Sequence, residues 1–166
     1  HFVPAELAEY QPIVAHAAVD AGADVILGHH PHILKGVEVY RGVPILYSIG
    51  NFAIDLPVTE EHARSESFQE LQRLNPDWEV DLTSMYNFPA DSAKTVAVII
   101  RIRDRTMVRT SLRPIWIDKT AVPELLAPTD HRFHQVVDYL RQITDEADLR
   151  ARFHVDGTEV LITAGG

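Results

Sequence analysis

The stretch Asp24-Val25-Ile26-Leu27-Gly28-His29-His30-Pro31-His32 decides the fold. Its first half is a short apolar run with β-branched residues, bounded by polar and glycine positions, and it reads as a buried strand over residues 24–28. Gly28 lets the backbone turn sharply where that strand ends. Immediately upstream, Leu7, Tyr10, Val14, Ala17 and Ala21 recur at three- and four-residue steps. That spacing predicts a helical stretch over residues 4–22 with one apolar stripe. Pro4 suits a first turn, whereas Pro12 does not suit a helix interior, so the reading expects a break there and a second helix from about Gln11. Gly22 is a natural C-terminal stop. A helix, a glycine turn and an apolar strand make one α-to-β step of a layered α/β fold.

Residues 36–40 and 43–48 read as two further strands joined across Arg41-Gly42 into a hairpin. The texture changes over residues 57–91, where charge and polarity rise. This stretch reads as a variable excursion over the sheet, with a largely solvated helix over residues 60–74. Residues 93–104 and 106–118 are rich in Val, Ile and Arg and predict an antiparallel pair turning at Asp104-Arg105. Residues 131–149 predict a helix with Phe133, Val137, Leu140 and Ile143 on one side, and residues 158–163 a last strand. No repeat or low-complexity tract interrupts the chain.

Composition narrows the functional classes. The 166 residues are enough for one domain with a real core. Lys plus Arg is 15 against 24 Asp plus Glu, a formal net charge of −9. That balance argues against nucleic acid or an anionic membrane surface as the main partner. The absence of cysteine excludes disulfides and thiolate metal sites. No apolar run approaches the ~18 residues that span a bilayer. The chain begins at His1 without a signal-like segment, which reads as a processing or cloning boundary.

The chemistry concentrates in Gly28-His29-His30-Pro31-His32. Neutral imidazole is a common ligand for zinc, iron and similar ions. A residue before proline is biased toward extended backbone. Residues two apart in an extended chain point to one side, with a rise of ~3.3 Å each. The expectation is therefore that His30 and His32 converge on one site, while His29 faces away, to serve as a supporting donor or to pack against the sheet. The same residues also read as a polar loop that binds nothing, since two imidazoles do not complete a metal site. A second segment, Tyr47-Ser-Ile-Gly-Asn-Phe-Ala-Ile-Asp55, runs from a strand into a turn. Ser48 offers a hydroxyl, Asn51 an amide that can orient a ligand, and Asp55 a carboxylate that can support an imidazole. Read alone, this segment favours a Gly-Asn turn capped by its own side chain.

The run from Asp20 to Gly36, with Val37-Glu-Val-Tyr40 and Pro44-Ile-Leu-Tyr-Ser-Ile-Gly-Asn-Phe52, resembles the CapA family of poly-γ-glutamate capsule biosynthesis proteins. The resemblance is strong over residues 1–55 and weak beyond. It implies a place in the calcineurin-like metallophosphoesterase superfamily, with this chain forming the C-terminal part of a single CapA-type domain. The implied fold is α/β, part of a four-layer β-sandwich flanked by helices. Members hold two divalent metal ions, which activate water and stabilise an anionic transition state. Their last motif, Gly-His-x-His, maps onto His30 and His32, with His29 as the alternate because the histidine is doubled. Ser48, Asn51 and Asp55 would line the site. The superfamily's earlier Asp-x-His, Gly-Asp and Gly-Asn-His motifs do not occur in this chain. The family's His-Trp-Gly run would lie just before His1-Phe2.

By that resemblance the intact domain is a metal-dependent hydrolase of a phosphoester or a polyglutamate-related compound, at the bacterial cell envelope. The rival reading is a non-catalytic component of capsule polymer synthesis or export, which binds polymer or a partner in a synthesis complex. A strongly acidic chain is a poor unaided receptor for an anionic polymer, which favours the metal-dependent reading.

Overall fold

The computed structural model describes residues 3–76 and 78–165. His1 and Phe2, beside the expected His-Trp-Gly position, lie outside the described residues. The chain folds as helix α1 (Tyr10–Asp20), strands β1 (Ile26–Leu27), β2 (Val37–Tyr40) and β3 (Val43–Leu46), and helices α2 (Glu60–Ala63) and α3 (Glu66–Leu74). A 3-10 turn at Ala90–Ala93 leads into β4 (Lys94–Arg103) and β5 (Thr106–Ile117), followed by β6 (Pro123–Leu125), α4 (His131–Glu146), β7 (Ala151–Asp156) and β8 (Glu159–Ala164).

The α-to-β step is present: β1 pairs parallel with β3, and β2 pairs antiparallel with β3, giving a sheet ordered β1-β3-β2. The second sheet runs β4-β5-β8-β7, with β6 beside β5. The architecture is α/β, two sheets with helices against them. Arg41-Gly42 and Asp104-Arg105 form tight turns where expected, all four residues at positive φ as in type I′ hairpin turns. Leu34, Val37 and Leu46 meet Val96, Leu112 and Val160 of the second sheet in one core. Helix α4 completes it with Phe133, Val136, Val137, Leu140 and Ile143. Its N-cap is Asp130, whose carboxylate accepts from the Arg132 N–H.

Several expectations need correction. Residues 4–9 are not helical; α1 starts at Tyr10, which puts Pro12 in the first turn, where no intrahelical N–H bond is lost. The predicted stripe also faces the wrong way. Tyr10 and Val14 are 62% and 60% exposed, and the helix buries Ala15 and Val19 against Ile45 and Tyr47. Strand β1 is two residues long, at the sheet edge, with Leu27 exposed, so it is not the buried strand expected. The helix expected over residues 60–74 is two helices, because Thr59 and Ser65 each cap a new start. Helix α4 ends at Glu146, and β7 takes up the chain from Ala151.

Two carboxylates tie stability to pH. Hydrogen bonds from the Arg101 guanidinium and from Ser111 hold Glu159 down at about 2, and the Arg132 guanidinium holds Asp130 at about 2. Folded values below the unfolded ones mean that the stabilisation is complete above the ordinary carboxylate range of about 4 and is lost as pH falls toward 2. Thermal unfolding between pH 6 and pH 2 should therefore show a falling midpoint, and Glu159→Gln should flatten part of that slope. Both side chains keep part of their surface in solvent, so the effect should also shrink in salt.

Candidate functional site

The site is built where β1 and β3 end side by side. Gly28 donates its N–H to Leu46 O at 2.7 Å, and Ile49 N donates to Gly28 O at 3.1 Å. A Cβ at Gly28 would stand 2.2 Å from Tyr47 O, so only glycine lets the two backbones come this close. The chain then bends through residues 30–33 and returns as an antiparallel bridge between Leu34 and Ile49. That reversal is made by positive φ at His30 (101°) and His32 (60°). His30 is not extended, and the two-residue alternation expected for residues 30 and 32 does not apply. The need to turn back toward Ile49 overrides the bias from Pro31.

The histidines separate accordingly. His29 and His30, both exposed, line a cleft of about 300 Å³ together with Glu6, Leu7, Tyr10 and Lys35. Lys35 is 4% exposed and donates from Nζ to Val3 O and, at 2.8 Å, to Glu6 O, which holds residues 3–6 over this cleft. Burial pushes the Lys35 amine below its ordinary value, with Glu6 opposing. His32 instead packs beside Phe88, ring centroids 5.0 Å apart, and its Nδ1 lies 2.8 Å from Asn51 Oδ1.

Asn51 is the pivot of a buried chain of hydrogen bonds. It is 7% exposed, and its Nδ2 donates to Tyr86 Oη at 2.8 Å. Tyr86 Oη donates in turn to Ser92 O at 2.7 Å. Burial pushes the Tyr86 phenol up to about 12, against a smaller opposing effect of the Asn51 contact, so it keeps its proton at neutral pH. The turn beneath is fixed by Thr95, whose Oγ1 lies 2.8 Å from Ile49 O and 2.5 Å from Asn51 O. Gly50 has φ +75°, and a Cβ there would stand 3.0 Å from Thr95 Oγ1. Ser48 is buried, and its Oγ accepts from Gly50 N at 3.3 Å, which shapes the same turn. Asp55 is exposed; the side chain that holds His32 among the described residues is Asn51.

Sequence reasoning missed Tyr86, Thr95 and Lys35. Tyr86 sits in the polar excursion, with no periodicity to single it out, and a lysine followed by glycine carries no sign of burial. Among the described residues no group of three or more His, Asp or Glu side chains stands close enough to hold a metal ion. The donor chemistry suits one ligand position rather than a whole shell: His32 is engaged through Nδ1, which leaves Nε2 as the nitrogen for a ligand position. No helix among the described residues is long and apolar enough to cross a membrane.

The family described as bacterial capsule synthesis protein PGA_cap matches residues 4–56, the segment that holds α1, both histidine faces and Asn51. Through that segment the chain is similar to the PGA_cap family. It is 60% identical over 42 residues to the PGA biosynthesis protein CapA of Bacillus subtilis, covering 25% of this chain and 11% of that protein. It is 56% identical over 45 residues to the capsule biosynthesis protein CapA of Bacillus anthracis, covering 27% and 11%. A probable polyglutamine synthesis accessory protein of Mycobacterium tuberculosis is 42% identical over 60 residues, covering 36% and 15%. The chain thus spans about a tenth of the length of the curated relatives it matches first. Tyr86, Ser92 and Thr95 lie outside the matched segment, so Asn51 within it is held by partners that the match does not reach.

Proposed function

We propose that the protein takes part in bacterial capsule synthesis of the poly-γ-glutamate type, and that its intact domain is a metal-dependent hydrolase acting on a phosphoester or a polyglutamate-related compound. The relatives' names and the PGA_cap match support the first part. The second part rests chiefly on one observation: within the matched segment, His32 is oriented through Nδ1 by a buried amide, the way protein ligand histidines are fixed. His32 and His30 are the proposed contributors to a metal centre that other side chains must complete, with His29 as the alternate to His30. Ser48 and Asn51 shape the loop that carries them.

The test is made on the protein at its natural length. Metal analysis should find stoichiometric divalent metal, and phosphoesterase turnover should depend on it. His32→Ala should lose metal affinity by more than the ~10–100-fold typical of an outer-contact change. His30→Ala and His29→Ala are compared under the same condition, and the one with the larger loss is the second ligand. A protein that holds no stoichiometric metal and turns over no phosphoester overturns the hydrolase. It would leave the role to a non-catalytic component of polymer synthesis or export.

A further inference from the structure

We propose that Tyr86 is a positioning residue that fixes the tautomer of His32 through Asn51. Which atoms can donate fixes each link of the chain. Ser92 contributes a carbonyl oxygen, which only accepts, so the single phenolic proton of Tyr86 is committed to it at 2.7 Å. Tyr86 Oη can then meet Asn51 only as an acceptor, and the Asn51 atom facing it at 2.8 Å must be the donating Nδ2. With Nδ2 turned to Tyr86, the Oδ1 of Asn51 faces His32 Nδ1 at 2.8 Å. An amide oxygen only accepts, so the His32 proton sits on Nδ1, and Nε2 carries the lone pair. The carbonyl of Ser92 thus sets a proton position three hydrogen bonds away.

All of the intermediates are shielded: Asn51 is 7% and Tyr86 8% exposed, so water has little access to replace a link. Phe88 lies against both rings, 5.0 Å from His32 and 5.0 Å from Tyr86, and restrains rotation of the imidazole. In free solution imidazole favours the proton on Nε2, and this chain of bonds reverses that preference. As a statement about metal ligation the inference rests on the proposed function; as a statement about His32 it does not.

The test reads the tautomer directly, in metal-free protein at natural length carrying ¹⁵N-labelled histidine, at a pH where imidazole is neutral. The His32 signals are identified by their loss in His32→Gln. Wild-type His32 should show Nδ1 as the protonated, pyrrole-type nitrogen and Nε2 as the pyridine-type one. Tyr86→Phe keeps the ring but removes the hydroxyl, and the predominance of the Nδ1–H form should be lost. Asn51→Asp combined with Tyr86→Phe should restore it, since either carboxylate oxygen accepts from Nδ1–H. Folding of each variant is read from the dispersion of the same spectra. A wild-type His32 protonated on Nε2 overturns the inference without any variant, and so does an unchanged tautomer in folded Tyr86→Phe. Where metal is bound, Tyr86→Phe should weaken it ~10–100-fold, as loss of an outer contact does. Absence of metal binding would overturn the proposed function and leave the tautomer result intact.

Discussion

Phe133→Ala is expected to lower the free energy of unfolding by about 3–5 kcal/mol, the range for deleting a fully buried aromatic ring. Phe133 is 0% exposed and begins the buried face of α4, where both sheets contribute to one core. Nothing at that junction can move in to fill the space, because Leu34 and Leu112 are themselves fully enclosed. For a chain of this length each kcal/mol is worth about 2–4 °C in Tm, so the melting point should fall by roughly 6–20 °C. Urea denaturation monitored by circular dichroism measures it, with the exposed Val108→Ala as a control that should barely shift. A loss below ~1 kcal/mol would mean that α4 does not hold the two sheets together.

Gly28→Ala should be comparably severe for a different reason. The added methyl would meet Tyr47 O at 2.2 Å, Tyr47 C at 2.7 Å and Leu46 O at 3.0 Å, all backbone atoms that cannot rotate aside. Relief requires the end of β1 to part from β3, breaking the bonds that join Gly28 to Leu46 and Ile49. Overpacking of this kind costs about 1–3 kcal/mol, here with lost hydrogen bonds added. Hydrogen exchange at the Ile49 amide should accelerate sharply. Gly42→Ala is the comparison: its φ is +85° but nothing lies within 4 Å, so it should strain the hairpin turn and leave Ile49 protected. Protection at Ile49 that survives Gly28→Ala would refute the close-approach account. Because the His29–His32 bend hangs from the end of β1, the same substitution should disorder the candidate ligands without touching them.

Features coded by short-range chemistry were legible. The Asp104-Arg105 turn and the two strands around it stand where alternation placed them, because strand patterning and turn residues act locally. Direction was not legible. Periodicity finds the most apolar stripe of a helix, whereas α1 packs by the small side chains Ala15 and Val19, which fit closely against Ile45 and Tyr47. Strand β7 does alternate, with Ala151 and Phe153 buried and Arg152 and His154 exposed, but it follows a helix with no proline or glycine between them. At the site, Asn51 was named from its turn, and Tyr86 was not. Its contact with Asn51 spans 35 residues, and a tyrosine's burial inside a polar segment is a property of the fold rather than of its neighbours in sequence. The preference of the residue before Pro31 was legible too, but a local bias of that kind yields to a required chain reversal.

The excursion between β3 and β4 has a small core of its own, Val58, Phe68 and Trp78, separate from the main one. The chain's other tryptophan, Trp116, packs against the main core. Two indoles thus sit in two clusters of unequal size, and the smaller is expected to open at the lower energy. Fluorescence of Trp78 in a Trp116→Phe background would follow that opening below the global transition. Tyr86 lies in the same stretch of chain but packs with Ile115 and Ile117 of β5, so its hold on Asn51 should outlast each such opening. The lifetime of the ordered His32 imidazole would then follow β5 rather than the breathing of the minor cluster.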